Sequence, residues 1–329
     1  MPGSKEEVDM IDNIRLFIKD PSIAKELAEQ LLADLLIEDP KQGLDARTKK
    51  HELPIRGKIR NLEARAFYKS ALVKGSLHKF HNVLTGSGDH NYNDFSSAHL
   101  IDALNQLMKD CPLIQALNLT QLEFGLNIEV DEPAENIIER SVLMHKFSKQ
   151  PIIETFNGEG YMKKFVYGPY TVKIYDKAKQ YRNEVGDKQI LRFEIKFKDR
   201  RLFKVKKVSE LLEPSFIEFL MTILLDHFDK LMIVDPPDEG ALSKDEALLY
   251  QQYTNPNYWN SLKGRKNRTK KYREKRKAQA FFKKHELLST KNKLRKALEE
   301  KYKSLTKSML TNSDIYKSVK GQHPKNKAA

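Results

Sequence analysis

Residues 121–130 (QLEFGLNIEV) alternate without a break. Leu122, Phe124, Leu126, Ile128 and Val130 form an apolar set, and Gln121, Glu123, Gly125, Asn127 and Glu129 a polar one. Successive side chains of a strand point to opposite faces, so this run is a strand with one face on a core and the other turned away from it. Residues 190–198 repeat the pattern, with Leu191, Phe193, Ile195 and Phe197 against Arg192, Glu194, Lys196 and Lys198. Half-buried strands need helices on their apolar side, and antiparallel sheets tolerate one uncovered face. The expected fold is α+β: a largely antiparallel sheet with helices on one face and an open face that carries the chemistry.

The other segments fit that scheme. Residues 10–18 (MIDNIRLFI) read as an opening strand, 20–39 as an amphipathic helix with Ile23, Leu27, Leu31 and Leu35 in line, and 39–54 as a polar loop. Strands are expected at 58–67 and 71–81, the second ending in SLHKFHN, followed by a Gly/Asn-rich loop at 85–93 and a helix opened by a cap at 94–97. Asp131 and Pro133 start a helix running to about His145, since proline suits the first helical turn. After the stretch 161–166 and a Gly168-Pro169 turn, a strand over 170–175 enters YDKAKQY, and a helix over 208–231 closes the body. Pro236 and Pro237 mark 235–240 as the linker. A domain 1–235 and a small basic all-α C-terminal domain 241–329 are expected; in the latter Leu294, Leu298, Tyr302, Leu305 and Met309 recur at helical spacing.

Charge separates the two parts. The chain carries a net +14, yet from Lys263 onward 23 Lys and Arg face 5 Asp and Glu, a local +18 that leaves −4 elsewhere. Such asymmetry marks a polyanion-binding appendage, and Arg265, Lys266, Arg268, Lys270, Lys271, Arg273 and Arg276 are its expected phosphate contacts. Tyr253, Tyr258 and Trp259, just before them, suit either base stacking or a small core. The longest apolar stretch, 216–234, contains Glu218, Asp226, Asp229 and Lys230 and so is a core helix, not a membrane span. The single cysteine, Cys111, excludes an intrachain disulfide and a cysteine-built zinc site, and a reducing cytoplasm is the simple expectation. With a polar, acidic start and no apolar run, no secretory leader is expected.

Turning the apolar faces inward gathers Glu123, Asn127, Arg192, Glu194, Thr171, Lys173 and Tyr175 on one surface, with His81 at the end of a fourth strand. Hard divalent ions such as Mg2+ or Mn2+ take carboxylate oxygens, and manganese also accepts imidazole, so His81, Glu123 and Glu194 are the metal-ligand candidates. A tyrosine hydroxyl attacks phosphorus once cations or a base favour its anion, and Lys173 and Lys177 supply charge beside Tyr175. Solvated strand faces and packing histidines also account for these residues. Periodicity and charge alone stop at a basic, cytoplasmic, nucleic-acid-binding protein.

Taken in order, MIDNIRLFI, KGSLHKFHN, LEFGLNIEV followed by EPAENI, VKIYDK and LRFEIKF resemble the replication initiators of filamentous single-stranded DNA phages and the related plasmid rolling-circle initiators, over roughly residues 10–208. The resemblance implies a metal-dependent nicking and joining endonuclease, using Mg2+ or Mn2+, that cuts one strand at the replication origin. It keeps the 5′ phosphate on a tyrosine and leaves a 3′ hydroxyl as primer. Tyr175 falls at the nucleophile with Lys177 beside it, and Tyr181 is the second tyrosine. His81-Asn82 falls at the histidine element, Glu123 at the acidic strand position, and Arg192 and Glu194 at the RFE element. Lys173 and Arg192 are then expected on DNA. The implied partners are origin DNA, single-stranded at the nick, and a host helicase, in the cytoplasm of a bacterial cell and away from membranes. Many such initiators carry two histidines flanking one hydrophobic residue. Here Lys79 and Phe80 separate His78 from His81, and on a strand these histidines would face opposite ways, which favours His81 alone. The alternative function is a non-catalytic DNA- or RNA-binding regulator with the same fold. A conjugative relaxase is a third reading, and without a Walker sequence the large multi-domain kind does not fit.

Overall fold

A computed structural model describes residues 10–33, 37–44, 51–93, 95–156, 159–181 and 186–311. The expected cap residue Asp94, Leu35 of the first helix and the tail after residue 311 lie outside the described residues.

The N-terminal half begins with strand β1 (Ile11–Ile18) and helix α1 (Pro21–Ala33). Asp20 caps α1 by accepting the backbone N–H groups of Ser22 (2.8 Å) and Ile23 (3.2 Å), with Pro21 at the first helical position. Strands β2 (Ile37–Leu44) and β3 (His51–Ile59) occupy much of the expected polar loop. The strand expected at 58–67 is split by a turn at Arg60, whose φ is 54°, so that β3 folds back into β4 (Leu62–Ala66). The strand expected over 71–81 also breaks. Strand β5 (Ala71–Ser76) ends where the Ser76 hydroxyl accepts the Lys79 N–H at 3.0 Å, which starts helix α2 (Leu77–Leu84). Helix α3 (Ser97–Asp110) is capped reciprocally by Ser96 and His99.

Strand β6 (Asn118–Glu129) contains the alternating run. Helix α4 (Ala134–Ser141) is shorter than expected and gives way to β7 (Val142–His145). Strands β8 (Ile152–Phe156), β9 (Glu159–Val166) and β10 (Tyr170–Asp176), the short helix α5 (Lys177–Gln180) and β11 (Ile190–Phe197) follow. A 3-10 turn at Val208–Leu212 precedes helix α6 (Pro214–Asp229), and β12 (Leu231–Ile233) pairs with β7. The basic region forms α7 (Lys244–Thr254), α8 (Pro256–Ser261), α9 (Arg268–Lys284) and α10 (Ser289–Thr311).

One ten-stranded sheet runs β2-β3-β4-β5-β1-β6-β11-β10-β9-β8, and every described pairing in it is antiparallel. Its apolar face buries Leu122, Phe124, Leu126, Phe193, Ile195 and Ile174 in one core with residues of α3, α6 and α10. Helix α10, which the sequence places beyond the linker, thus lies against the body: Leu294, Leu298 and Leu305 are in the main core, and Ser97 donates to the Leu305 carbonyl at 3.0 Å. Helices α7 to α9 close a second, smaller core with Met144, Met232 and Val234. Trp259 is its fully buried centre and donates its indole N–H to the Tyr253 carbonyl at 2.7 Å, so Trp259 and Tyr253 are core residues, not base stackers. Among the described residues no helix is long and apolar enough to cross a membrane.

Gly125 lies opposite Glu194 between β6 and β11, and a Cβ there would stand 2.4 Å from the Glu194 Cβ and 2.7 Å from the Phe193 carbonyl oxygen. Gly125→Ala is expected to force these central strands apart and cost about 1–3 kcal/mol, as overpacking does. A thermal midpoint equal to that of the unaltered protein would refute this.

The end of β7 packs against α6 through a buried histidine pair. His145 Nδ1 lies 2.7 Å from the Tyr167 hydroxyl, and the rings of His145 and His227 stack at 5.4 Å. Burial first, then the positive surroundings, lowers His145 to about 3 and His227 to about 4 from an ordinary 6.5. The unfolded chain takes up these protons before the folded one. The stabilisation is therefore complete above pH 6.5 and is lost as pH falls toward 4 and then 3. Urea midpoints are expected to decline across that window, and less steeply in His145→Phe; identical slopes would contradict the assignment.

Candidate active site

Strand register assembles the polar face. Tyr175, Arg192 and Asn127 occupy one rung of β10, β11 and β6; Lys173, Glu194 and Gly125 the next; Thr171, Lys196 and Glu123 the third. Asp12 and Asn13 of β1 join them, and a cleft of about 420 Å³ opens over the set. The face is polar but largely not solvated. Glu123, Asn127, Tyr175 and Glu194 are all buried, and Arg192 is 0% exposed.

Asp12, Glu123 and Glu194 each present a carboxylate oxygen within 4.8 Å of the others. Glu194 accepts from Lys173 Nζ (2.6 Å) on one oxygen and from Arg192 Nε (2.7 Å) and the Tyr175 hydroxyl (3.2 Å) on the other. Glu123 pairs with Lys196 (2.6 Å) and accepts the Asn13 amide (3.1 Å). Asp12 accepts from the Ser76 hydroxyl and the Asn91 amide (2.8 Å), and lies 3.7 Å from Arg192. Three carboxylates therefore meet three cations, Lys173, Arg192 and Lys196, which offsets the cost of burying charge.

Burial works against the Glu194 carboxylate, but Lys173 and Arg192 outweigh it and hold its pKa well below the ordinary range. Burial likewise opposes the Lys173 ammonium, yet Glu194 and Glu123 hold it above its ordinary value. Burial first, and the Glu194 charge second, raise Tyr175 well above 10, so at neutral pH it keeps its proton and donates it to Glu194.

A cluster of hard carboxylate oxygens suits Mg2+ or Mn2+, and Asp12, Glu123 and Glu194 are the residues that would hold such an ion. Glu123 and Glu194 are thus together, as the sequence suggests, but His81 is not their companion. His81 lies on α2, stacks on His99 at 4.5 Å, meets Phe95 edge-on and has Nε2 3.5 Å from Asp102, so it packs toward α3. His78 stacks on the same Phe95 at 5.0 Å. On a helix, residues three apart share a side, which replaces the opposite-face geometry expected of a strand. Asp12 fills the third position. Its only signal in the sequence is an acidic residue between the apolar Met10-Ile11 and Ile14.

Arg192, expected as a surface contact to DNA, is instead fully buried. Its guanidinium meets Glu194, Asn127 (2.9 Å) and Asp12 beneath the cleft floor. Lys177 is buried, donates to Asn91 (2.9 Å) and Gln180 (3.0 Å), and lies 5.9 Å from the Tyr175 ring centre. The Tyr181 hydroxyl donates to the same Asn91 oxygen at 2.6 Å. Asn91 thus ties the acid trio to Lys177 and Tyr181. It carries no signal in the sequence, because it sits in an irregular loop with no periodicity. On α9 and the turn before it, Arg265, Lys266, Arg268, Lys270, Arg273 and Arg276 are exposed, whereas Lys271 is half-buried and donates to the Trp259 carbonyl.

No protein-family model matches the chain. No curated protein matches it either. Three chains among the solved structures match. One is a rolling circle replication initiator protein from Geobacillus stearothermophilus, 12% identical, with a TM-score of 0.39, the match covering 69% of this chain and 87% of that one.

Proposed function

We propose that this protein initiates rolling-circle replication of a phage or plasmid by cutting and rejoining one DNA strand through Tyr175. The observation that carries the reading is the Tyr175 hydroxyl on Glu194, within a buried carboxylate trio suited to a divalent ion. The ordered motifs that resemble the initiators point the same way. In this reading the Tyr175 oxygen bonds to the scissile phosphorus as the bond from phosphorus to the 3′ oxygen breaks. The phenolic proton leaves through the hydrogen bond to Glu194 and on to solvent, and the departing 3′ oxygen takes up a proton from water. A bound divalent ion would supply charge to polarise the phosphate. Arg192 and Lys173 orient Glu194, Lys177 contributes positive charge beside both tyrosines, and Asn91 holds Lys177 and Tyr181 in place. The exposed basic side chains of α9 grip origin DNA through its phosphates.

Incubating the protein with single-stranded DNA from its origin and Mn2+ tests this. A covalent protein–DNA adduct is expected, and its absence with every origin-derived strand would favour a non-catalytic DNA-binding regulator. One observation supports that second reading: each carboxylate of the trio already faces a cation of the chain. The Lys173 ammonium neutralises two carboxylates that a metal would need, at 2.6 Å from Glu194 and 3.8 Å from Glu123. Lys173→Met is accordingly expected to tighten Mn2+ binding about tenfold, roughly 1.4 kcal/mol, by calorimetric titration without DNA. Weaker binding would show instead that Lys173 holds the acids in their binding arrangement.

A further inference from the structure

A second cleft, of about 320 Å³, continues from the first along the same sheet face, and the two share Asn13, Asn61 and Glu123. Arg15, Lys74 and Lys196 line the added part. Lys74 on β5 is paired in register with Arg15 on β1, which is paired in turn with Gln121 on β6. Glu63 on β4 stands opposite Lys74 on the same rung and also lines the cleft, so the rung carries two cations to one carboxylate. Like charges directly opposite each other destabilise a sheet, so the remaining positive excess favours an anion above Arg15 and Lys74. Lys74 has a carboxylate partner in Glu63 at 2.9 Å, and Lys196 has Glu123 at 2.6 Å. Among the described residues, no ion pair is seen for Arg15. An ammonium has three donors, so both lysines keep hydrogen-bonding capacity beyond these contacts. Among the described residues no aromatic side chain lines the cleft, so it suits phosphates and sugars and not stacked bases. Its volume falls in the range of small-ligand sites, enough for a single strand and too little for a duplex.

We infer that this second cleft is a subsite for the sugar–phosphate backbone of the strand that is cut, with Arg15, Lys74 and Lys196 holding a phosphate that flanks the scissile one. The inference rests on the reading of the first cleft as the cutting site. Lys196 links the two, because the Glu123 it pairs with belongs to the acid trio.

Fluorescence anisotropy with a fluorescein-labelled twelve-nucleotide oligothymidylate, in EDTA and over a range of salt, tests it. Each phosphate neutralised on a single strand contributes about −0.7 to the slope of log affinity against log salt, so losing two of the three cations on this one phosphate in Arg15→Met/Lys74→Met is expected to make that slope shallower by up to about 0.7. A twelve-base-pair duplex, taken to bind α9, is expected to keep its slope. Lys74→Met alone, at a half-exposed position, guards against a folding defect and is expected to give about half the change. An unchanged slope for the single strand in the double variant, or an equal loss for the duplex, would overturn the subsite. If the slope changes as expected while the unaltered protein forms no covalent adduct with origin strands, the cutting reading fails and what stands is a single-strand phosphate site in the second cleft.

Discussion

Tyr175→Phe is expected to abolish the covalent adduct with single-stranded origin DNA, by about a thousandfold or more in rate, as removal of a nucleophile does. The substitution deletes one oxygen and keeps the ring between the neighbouring strands, so folding and DNA affinity should stay near those of the unaltered protein. What is lost is the hydroxyl donating to Glu194 at 3.2 Å. Tyr181→Phe is the informative contrast. Its hydroxyl is bonded to Asn91 at 2.6 Å, and its ring lies 4.9 Å from the Lys177 ammonium. That variant should still form adduct, at a reduced rate set by the loosened Asn91 and Lys177. Electrophoresis of denatured reaction products with end-labelled DNA reads both variants. An adduct that persists in Tyr175→Phe and disappears in Tyr181→Phe would reverse the assignment. Because burial and the Glu194 charge keep Tyr175 protonated, the rate is also expected to rise with pH through the neutral range. A flat profile would show that loss of the phenolic proton does not limit the reaction.

The second large effect concerns stability. Arg192→Met is expected to destabilise the fold by about 3–5 kcal/mol, since it leaves the buried Glu194 and Asp12 without the guanidinium that faces both. Arg192→Met/Glu194→Met should recover part of that loss, because Glu194 is then no longer a stranded charge, while Asp12 still lacks the guanidinium. The sign of the pH dependence follows from Glu194. Its folded-state pKa lies below the ordinary 4.5, so its contribution is present above that pH and is lost as pH falls below it. The deficit of Arg192→Met should thus be largest near neutrality and narrow in acid. Urea unfolding at several pH values measures this, and a double variant no more stable than the single one would show that Arg192 acts through packing alone.

Much of the site was legible from alternation. A period of two is a local property of the backbone, so placing Leu126 and Phe193 in the core puts Glu123, Glu194, Lys173 and Tyr175 together on the opposite face. The tyrosine at the strand end follows from the same periodicity, whereas strand register alone sets Gly125 opposite Glu194. The acid trio was legible only in part. A serine that caps a helix turned the end of β5 into α2 and carried His81 away toward α3, and antiparallel pairing of β1 with distant strands brought Asp12 in its place. Arg192 shows the same limit, because its alternation gives its face and says nothing of how deeply that face is buried.

The sequence by itself determined which face of each long strand is apolar, the position of the basic surplus and the order of the motifs, because all three depend on near neighbours in the chain. Only the tertiary structure decided that Asp12 completes the acid trio, that Asn91 links it to Tyr181, and that α10 returns to the main core. Those contacts join residues far apart in the chain, and they are set by strand order and core packing, which no local pattern encodes.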